Sequence, residues 1–168
     1  MSRTKRLLLL LCLSVVLGYA LVYGLDKERT LRSGPLVLLQ LAPVDPRSLL
    51  QGDYMDLRYE LLRFAGDAVP DRGESFAIVR LDENGVGYLV RMSDTPNGLA
   101  EGEYALRIRR QEAGAWSRGE LSIGADSYFF EEGKAEVFGR AAYGGLRLYG
   151  RGGVVLAGLY DANFHLLE

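Results

Sequence analysis

Residues that could do acid–base or metal chemistry are few and widely spaced in this sequence. His165 is the only histidine, and it lies close to the C-terminus, where chain ends are usually mobile. A Ser-His-Asp triad needs a firmly held imidazole and is not expected. Cys12 is the only cysteine, which excludes an intrachain disulfide and a cysteine-based zinc site. We therefore predict no catalytic set of these types, no metal and no cofactor.

Carboxylates are the remaining candidates for catalysis. They occur as close neighbours in three places: Asp53 with Asp56, Glu101 with Glu103, and Glu131 with Glu132. Glycoside hydrolysis requires two carboxyl groups that face each other across a cleft, and proximity along the chain does not supply that arrangement. Surface charges are the more common outcome. An envelope hydrolase that uses carboxylates remains an alternative function.

The segments that would position these groups have the pattern of β-strands. Asn84-Gly85 lies between two alternating runs and is a strong hairpin signal, since both residues accept positive φ. Gly150-Arg151-Gly152-Gly153 lacks the Lys-Ser/Thr of a phosphate loop and predicts a turn. Strands are expected at 37–41, 52–62, 75–81, 86–92, 104–111, 116–123, 127–130, 145–149 and 154–160, and a helix at 134–142. The fold class is mainly β: an antiparallel β-sandwich or barrel-like domain with one short helix.

The strand expected at 52–62 alternates between apolar and polar residues. Its two faces are predicted to carry Met55, Leu57, Tyr59 and Leu61 on the buried side, and Tyr54, Asp56, Arg58 and Glu60 on the exposed side.

The N-terminus has the pattern of a membrane anchor. Residues 7–25 carry no charge, and as a helix they match the thickness of the bilayer core. Basic residues precede this run, so residues 1–6 are expected in the cytoplasm and the body outside. The predicted organisation is a tail at 1–6, a transmembrane anchor at 7–25, a linker or helical extension at 26–34, and a periplasmic β domain at 35–168. A signal peptide cleaved after Ala20 is the alternative.

Charge argues against a nucleic-acid partner. Outside Arg3, Lys5 and Arg6 the chain has 17 basic and 22 acidic residues, a net charge of −5. A nucleic-acid-binding domain normally presents a basic surface.

One segment resembles a known family. Gly52-Asp53-Tyr54-Met55-Asp56-Leu57-Arg58-Tyr59 fits the pattern G-D-Y-x-x-L-x-Y at each fixed position, namely Gly52, Asp53, Tyr54, Leu57 and Tyr59. This segment resembles the signature of the GDYXXLXY family of bacterial membrane-anchored proteins. The segments at 42–49, 128–133 and 142–147 are similar to other parts of that family. The resemblance implies no established activity, but it implies a multi-pass membrane protein as partner.

The motif has two interpretations, which use opposite faces of the strand. In the structural one, Leu57 and Tyr59 enter the core. In the functional one, exposed Tyr54, Asp56 and Arg58 bind a partner, because tyrosine and arginine are enriched at binding hot spots. The leading hypothesis is a non-enzymatic, single-pass protein of the bacterial inner membrane whose periplasmic body is a binding or accessory module. Besides the hydrolase, a small-ligand or lipid-binding barrel is the other alternative.

Overall fold

The computed structural model describes residues 3–42, 54–70, 73–111 and 119–168. The chain divides into two compact units, Met1–Gly34 and Pro35–Glu168, and each is described by itself.

The first unit is a helix, α1 (Arg3–Ser33), of 31 residues. It extends through residues 26–33, most of the segment predicted as a linker or helical extension. Large apolar side chains are exposed along it: Leu7, Leu10, Leu11, Leu13, Val15, Val16, Leu17, Tyr19, Leu21, Val22, Tyr23 and Leu25. Among the described residues, no helix is both long and apolar enough to cross a membrane. The transmembrane anchor predicted at 7–25 is therefore not supported by the structure.

The second unit is mainly β. Its strands are β1 (Leu36–Gln40), β2 (Tyr54–Asp56), β3 (Ser75–Leu81), β4 (Gly87–Ser93), β5 (Glu103–Arg110), β6 (Leu121–Ser122), β7 (Ser127–Phe129), β8 (Tyr143–Tyr149) and β9 (Gly153–Tyr160). Two short helices, α2 (Glu60–Ala65) and α3 (Ala135–Phe138), lie between strands. Paired strands form the sheets β1-β8-β9, β2-β7 and β4-β3-β5-β6, and these pairs are antiparallel. The prediction of a mainly β, antiparallel fold is confirmed.

Backbone contacts join the three-stranded and four-stranded sheets at two places. Leu38 of β1 forms a parallel bridge with Val86, and its N–H donates to the Gly85 carbonyl at 2.9 Å. At the second place, the N–H of Arg107 in β5 donates to the Gly152 carbonyl in the β8–β9 turn at 2.8 Å. The core lies between these sheets, with Leu39, Leu106 and Leu146 fully buried in one cluster.

Several predicted strands and turns are confirmed. β3 has the predicted bounds, and the turn that follows contains Gly85 at φ +80°. The carboxylate of Asp82 closes this turn by accepting hydrogen bonds from the N–H groups of Asn84 and Val86 at 2.9 and 2.8 Å. β5 and β6 pair as predicted, but the turn expected at 113–114 lies outside the described residues.

Three predicted elements are wrong in extent. The strand expected at 116–123 covers only Leu121–Ser122 among the described residues. The strand expected at 52–62 covers only Tyr54–Asp56 among the described residues, and helix α2 begins at Glu60. The sequence from Glu60 consists of good helix formers, and Arg63 bonds to Glu60 one turn away at 3.0 Å. The helix expected at 134–142 is limited to Ala135–Phe138, because the chain leaves the helix at Gly139.

Candidate functional site

The motif segment alternates between buried and exposed residues, as the sequence predicts. Met55, Leu57 and Tyr59 are buried, whereas Asp56 and Arg58 are exposed. Gly52 and Asp53 lie outside the described residues. Tyr54 begins β2, but its side chain lies outside the part of the chain that the structure describes.

Tyr59 is 1% exposed and is held by several contacts. Its hydroxyl donates a hydrogen bond to the Ala125 carbonyl at 2.6 Å, and its ring packs directly on Gly144. A Cβ added at Gly144 would lie 2.9 Å from the Cε1 atom of Tyr59, so a side chain at Gly144 would displace the ring. Burial, and secondarily the charge of Asp126, raise the pKa of Tyr59 far above its ordinary value. Tyr59 therefore remains a neutral hydrogen-bond donor.

Backbone hydrogen bonds tie the motif to two distant segments. The N–H of Leu57 donates to the Asp126 carbonyl at 2.8 Å, and the N–H of Ala42 donates to the Arg58 carbonyl at 2.6 Å. Tyr59 also forms an antiparallel bridge with Leu41. These contacts hold the exposed residues of the motif against a rigid support.

β2 and β7 form a two-stranded ribbon in which Tyr54 pairs with Phe129 and Asp56 pairs with Ser127. Phe129 is 72% exposed, and Asp56 and Ser127 are also exposed. We call the surface formed by Asp56, Ser127 and Phe129, with Arg58 following β2, the outer ribbon face. The ring of Phe129 gives this face an exposed apolar group.

Arg58 lies in a weak ion pair. Its guanidinium is 3.6 Å from the Glu120 carboxylate, and the two side chains are 64% and 77% exposed. Exposed pairs contribute only about 0–1 kcal/mol, so Arg58 can exchange Glu120 for a group on a partner at little cost.

An aromatic groove of about 390 Å³ adjoins the ribbon, and Phe129 lines it. Its other rings form a cluster. The centroid of the Phe138 ring lies 5.0 Å from that of Tyr128 and 5.2 Å from that of Phe130. Leu166 and Leu167 near the C-terminus also line the groove. Sequence reasoning missed this part of the site, although the run Tyr128-Phe129-Phe130 was a visible signal.

The predicted carboxylate pairs do not form a cleft in the described part of the chain. Glu131 and Glu132 are exposed, as is Asp56. Glu103 is buried, but it accepts hydrogen bonds from Arg91 at 2.8 Å and from the Ala100 N–H at 3.0 Å. These two bonds, the Ala100 N–H first, lower the pKa of Glu103, which is the opposite of what a general acid needs.

The histidine and the potential metal ligands do not form a site in the described part of the chain either. His165 is exposed and lies 3.6 Å from the Asp161 carboxylate. Within the described ranges, no three potential metal ligands of the His, Cys, Asp or Glu type come together.

In this β-rich body, buried Leu57 and Tyr59 of the motif anchor a short ribbon whose outer face is exposed. The chain belongs to the GDYXXLXY protein family, whose sequence model matches residues 16–159. Neither a curated protein nor a solved structure matches this chain.

Proposed function

We propose that this protein is a non-enzymatic binding module of the bacterial envelope. Its outer ribbon face and aromatic groove bind a multi-pass membrane protein. The observation that carries the proposal is the exposed ring of Phe129, which lies opposite Tyr54 in the ribbon and borders the aromatic groove.

The chemistry of this surface supports a protein partner. Aromatic residues and arginine are enriched at binding hot spots, and Phe129 and Arg58 provide both on one ribbon. The groove offers a recess with aromatic walls for a side chain of the partner. The motif's buried half fixes the ribbon in place, which limits the entropy lost on binding.

Attachment to the inner membrane through α1 completes the proposal. This attachment is supported by two observations. Residues 7–25 carry no charge, and the many exposed apolar side chains between Leu7 and Leu25 would be stabilised by an apolar environment. In this proposal the N-terminus is cytoplasmic and the body periplasmic, and the basic residues before the run support that orientation.

A fusion tests this arrangement. Alkaline phosphatase joined to the C-terminus should be active, since that enzyme matures only after export. A mature N-terminus at Leu21 would instead show that the segment is a cleaved signal peptide, and an inactive fusion would contradict the periplasmic location.

Photocrosslinking tests the binding surface. A photoreactive phenylalanine analogue is placed at Phe129 or, as a matched control, at Phe64 of α2, because these side chains are 72% and 73% exposed. After irradiation of native membranes, the Phe129 position should give a specific crosslinked membrane protein that the Phe64 position does not. Identical products at both positions, or a product at Phe64 alone, would contradict the proposed surface.

A further inference from the structure

A second surface of the body has a charge opposite to that of the body as a whole. Residues 35–168 contain 14 basic and 20 acidic residues, a net charge of −6. Nevertheless, three arginines surround the single carboxylate of Glu74. Arg109 hydrogen-bonds to it, the Nε of Arg107 is 3.5 Å from it, and Arg151 lies close enough to act on it electrostatically. We call Arg107, Arg109 and Arg151 the arginine cluster.

Backbone contacts build this cluster into the fold. Arg107 donates from its guanidinium to the Arg151 carbonyl at 2.9 Å, and its N–H bonds to the neighbouring Gly152 carbonyl. The β8–β9 turn is thus fastened to the edge of β5. The Arg151 side chain is exposed beside this contact.

An apolar groove of about 410 Å³ begins at the same turn. Its walls include Pro96, Leu99, Tyr104 and Tyr149, and Leu99 is 40% exposed. Among the described residues that line it, Arg151 is the only charged one. A ligand that fits this surface has an anionic group for the arginines and an apolar part for the groove.

The position of one groove residue in the chain, just after α1, indicates the source of such a ligand. Pro35 also lines the groove, and it follows the last residue of α1, Ser33, by only two positions. The groove therefore includes the residue at which the body joins the apolar helix.

We propose that the arginine cluster and the adjoining groove bind anionic phospholipid at the membrane surface. This inference rests on the proposed attachment of α1 to the membrane, but not on the partner bound by the ribbon. Each arginine near an anionic surface contributes about 1 kcal/mol, so removing the Arg151 charge should weaken binding about fivefold.

The test uses the full chain in nonionic detergent micelles, so it does not depend on whether α1 spans a bilayer. Phosphatidylglycerol, phosphatidylcholine or inorganic phosphate is added, and hydrogen exchange is followed in peptides covering 94–104 and 148–153. Phosphatidylglycerol alone should slow exchange in both peptides. Equal slowing by phosphatidylcholine would indicate an apolar site without charge selection, and slowing by phosphate alone would indicate a simple ion site. Either result overturns the proposal.

Variants assign the effect to the cluster. Arg151→Gln should raise the phosphatidylglycerol concentration for half-maximal slowing about fivefold, and Leu99→Asn should also raise it. The control Arg140→Gln removes an exposed arginine elsewhere and should leave the concentration unchanged. An unchanged value for Arg151→Gln, or an equal shift for Arg140→Gln, would overturn the proposal. Crosslinking from Phe129 should persist in Arg151→Gln, which separates failure of this inference from failure of the proposed function.

Discussion

The two sides of residues 55–59 have opposite surroundings, although they alternate along one short segment. Leu57 and Tyr59 are 4% and 1% exposed, whereas Asp56 and Arg58 are exposed. The buried side holds the ribbon to the core through long-range contacts. On the exposed side, Arg58 forms a weak ion pair with Glu120. The comparison teaches that a single short motif can contribute to the core on one face and leave the other face exposed.

The largest effect is expected from a charge on the buried side. Leu57→Asp should lower the free energy of unfolding by several kcal/mol, because the carboxylate would be buried without a partner. For Arg58→Ala, at the neighbouring position, the free energy of unfolding should stay within about 0.5 kcal/mol of the wild-type value. This variant loses an exposed ion pair. Thermal unfolding of the two purified variants measures the difference. Similar losses would refute the assignment of the two faces.

A smaller loss is expected from Tyr59→Phe. Removing the hydroxyl leaves the Ala125 carbonyl without its 2.6 Å donor, which should cost about 1–3 kcal/mol. Tyr88→Phe is the matched control, because the Tyr88 hydroxyl is exposed and lies 3.4 Å from the Asp82 carboxylate. Urea unfolding should show a much smaller change for the control. Equal changes would mean that the buried hydrogen bond contributes little.

The same residue predicts a dependence on alkaline pH. The pKa of Tyr59 is raised in the folded protein by burial and by Asp126, from an ordinary value of 10.0. The unfolded chain therefore loses this proton first, so the stability contributed by neutral Tyr59 is complete below about pH 10 and is lost as pH rises further. Relative to Tyr59→Phe, the wild-type free energy of unfolding should fall by up to about 1.4 kcal/mol per pH unit. Parallel pH curves for the two proteins would contradict this.

The smallest effect is expected at Glu131 and Glu132, one of the carboxylate pairs that a hydrolase could use. Glu131→Gln and Glu132→Gln should change the free energy of unfolding by no more than about 0.5 kcal/mol, since both side chains are exposed. Partner recovery from membranes should also be unchanged for Glu132→Gln, because Glu131 lines the aromatic groove and Glu132 does not. A folded Glu132→Gln variant that abolishes the cellular phenotype would instead favour the hydrolase.

Local pattern was sufficient to predict much of the fold. The bounds of β3 and the turn at Gly85 follow from alternation and turn chemistry, which act over a few residues. Burial of Leu57 and Tyr59 was predicted for the same reason. The start of α2 at Glu60 was not, because a short apolar run ending in Leu61 and Leu62 fits both a strand and a helix.

The candidate site depends on pairing between distant segments, which local pattern does not determine. Phe129 lies opposite Tyr54 only because β2 pairs with β7 in this register. Likewise, the close contact between Tyr59 and Gly144 has no signal within either segment alone. The sequence thus predicted which residues of the motif are buried and which are exposed, but it did not predict the aromatic strand beside them.

The central claim is that stability and binding reside on opposite faces of the motif, and one paired measurement tests it directly. Partner recovery from native membranes and the melting temperature are determined for the double variant Arg58→Ala/Phe129→Ala and for Tyr59→Phe. The double variant should lose about 2 kcal/mol or more of partner affinity at an unchanged melting temperature, whereas Tyr59→Phe should melt earlier and still retain the partner below its midpoint. A double variant that keeps its partner, or loses it only because it unfolds, would contradict the account.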